Sequence, residues 1–502
     1  MTGPLLVADK ICASGIPMAR VMIVGTMLFV TGLSTLIQTT FGVRLPLIQS
    51  GSFAFFAPII AYSDRHPCGN ATQLNGTEDP NLEWMSNMRM IQGSMIAASF
   101  VQMVIGSTGL IGVLTKYIGP LTIAPLMLLL ELSVVHVCID YVRVHWFSIV
   151  IIVILLITAI YLHTVKIPVP TCVGGKGITT SRLPVFALFP YLIALAIGWS
   201  LCLILTSVNL IPPGNKARTD YRAEVISHAP WFRVPYPGQW GWPEFSWSLF
   251  FGFLAATVAS VIESIGDYHA CARISQERTP PSHAINRGIL MEGLCCFIGG
   301  LFGGGLGLTT YSENIGVIGI TKVASRITLQ AAGLLFMFLG AFTKFGAVVG
   351  SLPDPIVGGL ICISLGVVAG VGLSSLQLCD LKLGRNIAIL GISIMLGMVV
   401  SDAVIQGKIV INTGIRHLDD VLSILLRIKM LVGGVIGFFL DNTVPGATRE
   451  QRGLKPLEKV ISDSDSDSWG KRDAYSFPKW MDKILTRIPG TRYLPFLPTY
   501  RS

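Results

Sequence analysis

Five carboxylates stand inside apolar stretches of this sequence: Glu131, Glu263, Asp267, Glu292 and Glu313. A charge there is costly, so an ionisable group in such a stretch points by default to function. Glu263 and Asp267 are four residues apart and share one face if the segment is helical. Two like charges on one face repel, so either one takes a proton or a cation or ligand compensates. That chemistry belongs to ion-coupled binding and needs no bond to be broken. Glu292, in the next apolar stretch, suits a structural hydrogen-bonding role and a coupling role equally. Glu131 is a lone acid with His136 five residues on, and the two read as local helix contacts. Glu313 directly precedes the short run Asn314–Thr321. If that run is a half-helix, its dipole and free N–H groups would stabilise a carboxylate at its N-terminus. The run around Phe53 would bring a second set of unpaired backbone groups.

Such residues need spans to position them, and the composition supplies spans. The chain has 502 residues, 52% hydrophobic and only 13% charged, with mean hydropathy +0.65. A soluble domain carries roughly 25% charged residues. These values argue against a soluble enzyme, a disordered chain and a nucleic-acid binder. The net charge of +9 does not restore the last class, because eleven of the 37 Lys and Arg follow Gly446 and most others sit between apolar runs. Thirteen apolar segments can be read: Val21–Gln38, Ser52–Ala61, Ile91–Leu114, Leu121–Cys138, Trp146–Leu162, Val185–Thr206, Trp247–Ile265, Gly288–Phe302, Tyr311–Thr321, Ile327–Phe342, Pro355–Val371, Ile387–Val400 and Val421–Leu440. A span takes about 20 apolar residues, so Ser52–Ala61 and Tyr311–Thr321 are too short to cross as plain helices. Paired short segments in two halves predict inverted repeats with broken helices. Aligned on those segments, the first half lacks one helix at its start, and Met1–Ala8 reads like the tail end of a span. It is not a signal peptide, having no basic start and too short an apolar stretch.

Two signals orient the chain. The loop Ser63–Arg89 holds the glycosylation acceptors Asn70-Ala-Thr72 and Asn75-Gly-Thr77. With the basic tail placed in the cytoplasm, the loops carrying Lys166/Lys176/Arg182, Arg273/Arg278/Arg287, Lys322/Arg326 and Lys382/Arg385 also fall inside, and the sequon loop falls outside. The long loop Ser207–Phe245 falls outside despite four basic residues, and its Pro and Trp content suits a cover over the outer surface. The ten cysteines form no CxxC pair and read mostly as small buried hydrophobes. Cys12 and Cys68 could pair if both lie outside. In the tail, Ser462 to Ser468 alternate with Asp, as an acidic phosphorylation site or a solvated linker would.

Ser312-Glu313-Asn314-Ile315-Gly316-Val317-Ile318-Gly319-Ile320-Thr321-Lys322 fits the Q/E/P-N-x-G-x-x-x-x-T motif, followed by a basic residue or Gly, of the nucleobase–ascorbate transporter family. ESIGDYHACARIS from Glu263 resembles the family's eighth helix. The stretch Leu36–Pro58 resembles its second and third, and SLPDPIVGG from Ser351 and LDNTVPGATREQRG from Leu440 resemble later ones. The likeness covers nearly the whole chain and is nearest to the vertebrate sodium-coupled branch. It implies an all-α polytopic fold of fourteen segments in two inverted repeats, with a small strand at each broken helix and, usually, a homodimer. Residues 1–119 and 247–350 would then form a core domain, 120–246 and 351–445 a gate domain, and 446–502 a cytoplasmic tail. The absent first segment carries, in the family, a Gln-His pair beside the substrate.

The resemblance also implies a site. Glu263 and Glu313 would hold the substrate, completed by Ser312, Asn314 and backbone near Phe53, with Asp267 and Glu292 serving the coupling ion. A nucleobase such as uracil or xanthine presents ring N–H donors beside C=O acceptors. The two glutamates can accept from the former while backbone N–H groups donate to the latter. Ascorbate carriers of the family have Pro where Glu313 stands, and a carboxylate facing the ascorbate anion would repel it. The expectation is therefore a plasma-membrane importer of nucleobases coupled to sodium, with sodium as co-substrate and no cofactor, metal centre or nucleic-acid partner. A sodium/ascorbate symporter is one alternative. A non-transporting subunit that modulates a full-length homologue is another.

Overall fold

The computed structural model describes residues 2–68, 80–111, 117–173, 177–454, 474–477, 481 and 494–497. Asn70, Asn75 and Ser462–Ser468 lie outside the described residues. The helices used below are α1 Thr2–Lys10, α2 Pro17–Thr40, α3 Phe56–Ser63, α4 Pro80–Thr108, α5 Pro120–Val142, α6 Phe147–Leu156, α7 Pro190–Ser207, α8 Trp247–Ile274, α9 Ser282–Phe302, α10 Ser312–Thr321, α11 Arg326–Ala341, α12 Asp354–Ser374, α13 Gly384–Ile405, α14 Arg416–Arg427 and α15 Lys429–Thr443. Among the described residues eight helices are long and apolar enough to cross a membrane, and α14 with α15 make a ninth, bent span. Phe53–Ser63, Phe147–Tyr161 and Arg326–Ala341 are shorter apolar helices. With α10, each of the thirteen apolar segments lands on one of these elements, and the protein is a multi-pass membrane protein. Helix α1 occupies the start of the chain, with Leu5, Leu6, Val7 and Ala8 buried.

The expected single segment Val421–Leu440 is a correction. It breaks at Ile428, where φ −83° and ψ 95° leave the helical region, and the two helices meet at 81°. Arg427 and Lys429 flank the break. The bend gives Lys429, only 3% exposed, a carboxylate partner in Asp402 at 2.8 Å. A straight helix would have carried both charges into an apolar layer unpaired.

Strand β1, Gln49–Gly51, precedes the short helical turn Phe53–Phe55 and α3. Strands β2, Ile167–Val173, and β3, Gly177–Leu183, form a separate hairpin. Strand β4, Leu308–Thr310, precedes α10. β1 and β4 pair antiparallel with Gln49 opposite Thr310, Ser50 opposite Thr309 and Gly51 opposite Leu308. A helix, then a strand, then a short helix thus occurs twice, and the two strands run in opposite directions, as inverted repeats require.

Helices α2 and α11 touch backbone to backbone. A Cβ on Gly32 would sit 2.3 Å from the carbonyl oxygen of Gly333, and one on Gly340 would sit 2.5 Å from the amide nitrogen of Phe29. Small residues allow this approach where lipid gives helices no hydrophobic reason to associate. The loop Ser207–Phe245 folds over helix ends, as its composition suggested. Trp240 is 4% exposed, packs edge-on against Trp84 at 5.0 Å, and donates from its ring nitrogen to Gly303 O at 3.1 Å. Cys12 and Cys68 form a disulfide, Cα to Cα 5.7 Å.

Helix α5 connects the two ends of the molecule. Pro120 packs against Gly453 at one end, and Tyr141 hydrogen-bonds Asp9 at the other. At the first end Asp441, with no exposure, accepts from Arg385 at 3.2 Å and from Arg452 Nε and Nη2, both at 2.9 Å. At the second, Asp354 is held by Arg222 at 2.6 Å and Arg20 at 3.7 Å. Removing one member of a buried ion group leaves the others unpaired, at about 3–5 kcal/mol. Asp441→Asn is therefore expected to lower the melting temperature of the detergent-purified protein clearly, read by fluorescence-detected size exclusion after heating. An unchanged melting profile would show the cluster to be idle.

Candidate substrate site

The β1–β4 pair sets two helix starts side by side. Ser52 Oγ accepts from Ala54 N at 3.1 Å and caps the turn Phe53–Phe55. Tyr311 N donates to Ile48 O at 3.0 Å and fixes the start of α10. The first turns of both leave amide N–H groups without intrahelical acceptors. Glu313 lies in the first turn of α10 beside Tyr311, where the dipole favours a negative charge.

Helix α8 lines the strand pair with two adjacent stripes. Ser260, Ser264 and Tyr268 recur every four residues and hold Glu292 of α9. Glu292 Oε1 accepts from Ser260 Oγ at 3.0 Å, Ser264 Oγ at 2.8 Å and Thr309 Oγ1 at 2.9 Å, and Oε2 accepts from the Tyr268 hydroxyl at 3.0 Å. Gln38 of α2 in turn donates to Tyr268 at 2.7 Å. Glu292 is fully buried and ties α2, α8, α9 and β4 together. The second stripe is Glu263 and Asp267. Asp267, 6% exposed, accepts from Ser312 Oγ with both oxygens at 2.9 Å, which joins α8 to the start of α10.

The expected site residues therefore divide. Glu263, Asp267, Glu313, Ser312 and Phe53 gather around the strand pair. Asn314 is committed to the backbone: its Nδ2 donates to Pro46 O at 3.0 Å and its Oδ1 accepts from Ile48 N at 3.1 Å. Its side chain fastens α10 to the segment ahead of β1. Glu263 is half-buried and, among the described residues, has no hydrogen-bond or ion-pair partner. The ionisable groups within electrostatic range of it, Asp267, Glu131, Glu313 and Glu292, are all acidic.

Glu131 differs from the expectation of a local helix contact. It is 3% exposed, and neither carboxylate oxygen has a hydrogen-bond partner among the described residues. Its neighbours on α5 are apolar, so the helix itself offers nothing to bond. The network of Ser260, Ser264, Tyr268, Thr309 and Gln38 was not anticipated either, although the fourfold spacing of the first three was present in the sequence.

The Permease family model (Xan_ur_permease) matches residues 1–405. The chain belongs to this family. Over 99% of its length the permease is 43% identical to solute carrier family 23 member 2 of Homo sapiens, covering 78% of that protein. It is 40% identical to solute carrier family 23 member 1 of Mus musculus, covering 99% and 84%. It is 32% identical to nucleobase-ascorbate transporter 2 of Arabidopsis thaliana over 87% of this chain and 82% of that one. Among solved structures, murine Slc26a9 aligns with a TM-score of 0.45 at 13% identity, over 75% of this chain and 63% of that one. The family and the relatives make the protein a membrane transporter and not an enzyme.

Proposed function

We propose that this permease imports nucleobases, uracil, xanthine or related bases, across the plasma membrane with sodium as co-substrate. The observation that carries the reading is the pair of glutamates, Glu263 and Glu313, set beside two helix starts. Carboxylates accept ring N–H groups and the free backbone N–H groups donate to ring carbonyls. The same acidic surroundings oppose an anion such as ascorbate. Cys12–Cys68 supports an oxidising, extracellular side at that end, which leaves the basic tail in the cytoplasm. The core and gate division and a homodimer are part of the same reading. Uptake of labelled uracil and xanthine by cells expressing the chain, challenged with excess ascorbate, tests it. Robust ascorbate uptake indifferent to nucleobase would overturn it, and no uptake of any solute would favour a modulating subunit.

Coupling has its own expected outcome. The bond from Ser312 to Asp267 at the start of α10 supports the reading that Asp267 links a cation to the substrate. Replacing external sodium with choline at fixed pH is expected to remove most nucleobase uptake. Unchanged uptake in choline, with dependence on external pH, would transfer the role to protons.

A further inference from the structure

We propose that Glu131 is a third substrate-binding carboxylate, one that selects purine bases over pyrimidine bases by accepting the N–H of the five-membered ring. This rests on the nucleobase reading. Glu131 lies eleven residues into the 23-residue helix α5, about 16 Å from either end at 1.5 Å per residue, so it sits at mid-depth. α5 packs on the turn Phe53–Phe55 and on α8, the elements that bear the site. Glu131 lies within electrostatic range of Glu263 and of Glu313.

An unpartnered buried carboxylate is costly and is not explained by packing. Two other acids of the site are satisfied within the structure. Glu292 has four hydroxyl donors and Asp267 has Ser312. Glu131, like the substrate glutamate Glu263, has none among the described residues, and unlike Glu263 it is almost fully buried, so we assign its complement to the ligand. Glu263 and Glu313 come from α8 and α10, and Glu131 comes from a third helix. A ligand that serves all three needs N–H donors on more than one edge. The six-membered ring of xanthine carries the same two N–H and two C=O groups as uracil. Its fused imidazole ring adds one N–H on the far edge. Uracil ends before that point and leaves Glu131 unsatisfied. A site that binds a donor discriminates strongly against the analogue lacking it, because its own polar group is left unpaired.

The test compares wild type with Glu131→Gln and Glu131→Leu, at matched surface expression and at mildly acidic pH where xanthine is neutral. Inhibition constants are measured for uracil, xanthine and xanthines methylated on either imidazole nitrogen. In Glu131→Gln, xanthine is expected to weaken by about tenfold or more, and uracil, which does not reach Glu131, by clearly less. Imidazole methylation should weaken xanthine in wild type and have little further effect in the variants. Equal loss of both bases, or loss of neither, would overturn the role of Glu131 while leaving the nucleobase reading intact. A changed sodium requirement with unchanged purine preference would also overturn it, reassigning the group to the ion. If wild type takes up no nucleobase, the underlying reading fails and this one with it.

Discussion

Glu263→Gln is expected to reduce nucleobase uptake to near background while the protein still reaches the cell surface. The two halves of that result have separate causes. Glu263 has no partner among the described residues, so no internal bond is lost and the fold is retained. Its substrate bond is lost in kind, because a neutral amide replaces a charged acceptor. A hydrogen bond to a charged group contributes about 1.5–3 kcal/mol, roughly tenfold to more than a hundredfold in affinity. The amide also turns an NH2 group toward ring N–H donors, which adds a clash of like dipoles. Surface biotinylation and an inhibition constant for unlabelled base give the two readouts. A near-normal affinity in the variant would remove Glu263 from the site.

Glu313→Pro is expected to abolish nucleobase transport without creating ascorbate transport. Glu313 occupies the first turn of α10, where proline fits because the missing N–H had no intrahelical acceptor. Folding should survive, as Asn314 still ties α10 to Pro46 and Ile48. The substrate loses one carboxylate and one backbone donor together. An anion gains only a relieved repulsion, while Glu263 still faces it, and specificity usually needs new attraction as well as a lost clash. Paired uptake of labelled uracil and ascorbate by wild type and variant decides the matter. Strong ascorbate uptake by Glu313→Pro would show that this one position sets the substrate class.

The elements were legible because a span is a one-dimensional signal. Apolar length located every segment, and the two deficits in length located Phe53–Ser63 and Ser312–Thr321. The shared face of Glu263 and Asp267 followed from helical spacing alone. What faces a side chain from another helix is a three-dimensional matter, and there the reading fell short. Nothing in the run of residues says that Asn314 turns to Pro46, or that Glu292 collects hydroxyls from α8 and β4. Glu131 looked ordinary because the reading could weigh only its own helix. The break at Ile428 was hidden for a related reason: Lys429 belongs in an apolar layer only because Asp402 of α13 meets it.

The pairing of β1 with β4 has a consequence for how the chain is made. Gln49 bonds Thr310, 261 residues later. At about 5–20 residues per second of synthesis, the ribosome needs roughly 13–50 s between the two. Throughout that interval the backbone of Gln49–Gly51 has been translated and has no strand to pair with, and an unsatisfied backbone group in hydrocarbon costs several kcal/mol. The first half therefore cannot be completed as a finished unit in the bilayer. Until the second strand emerges, those backbone groups need water or other protein as partners. A nascent chain arrested before Leu308 is the form that quality control would meet with an open backbone edge.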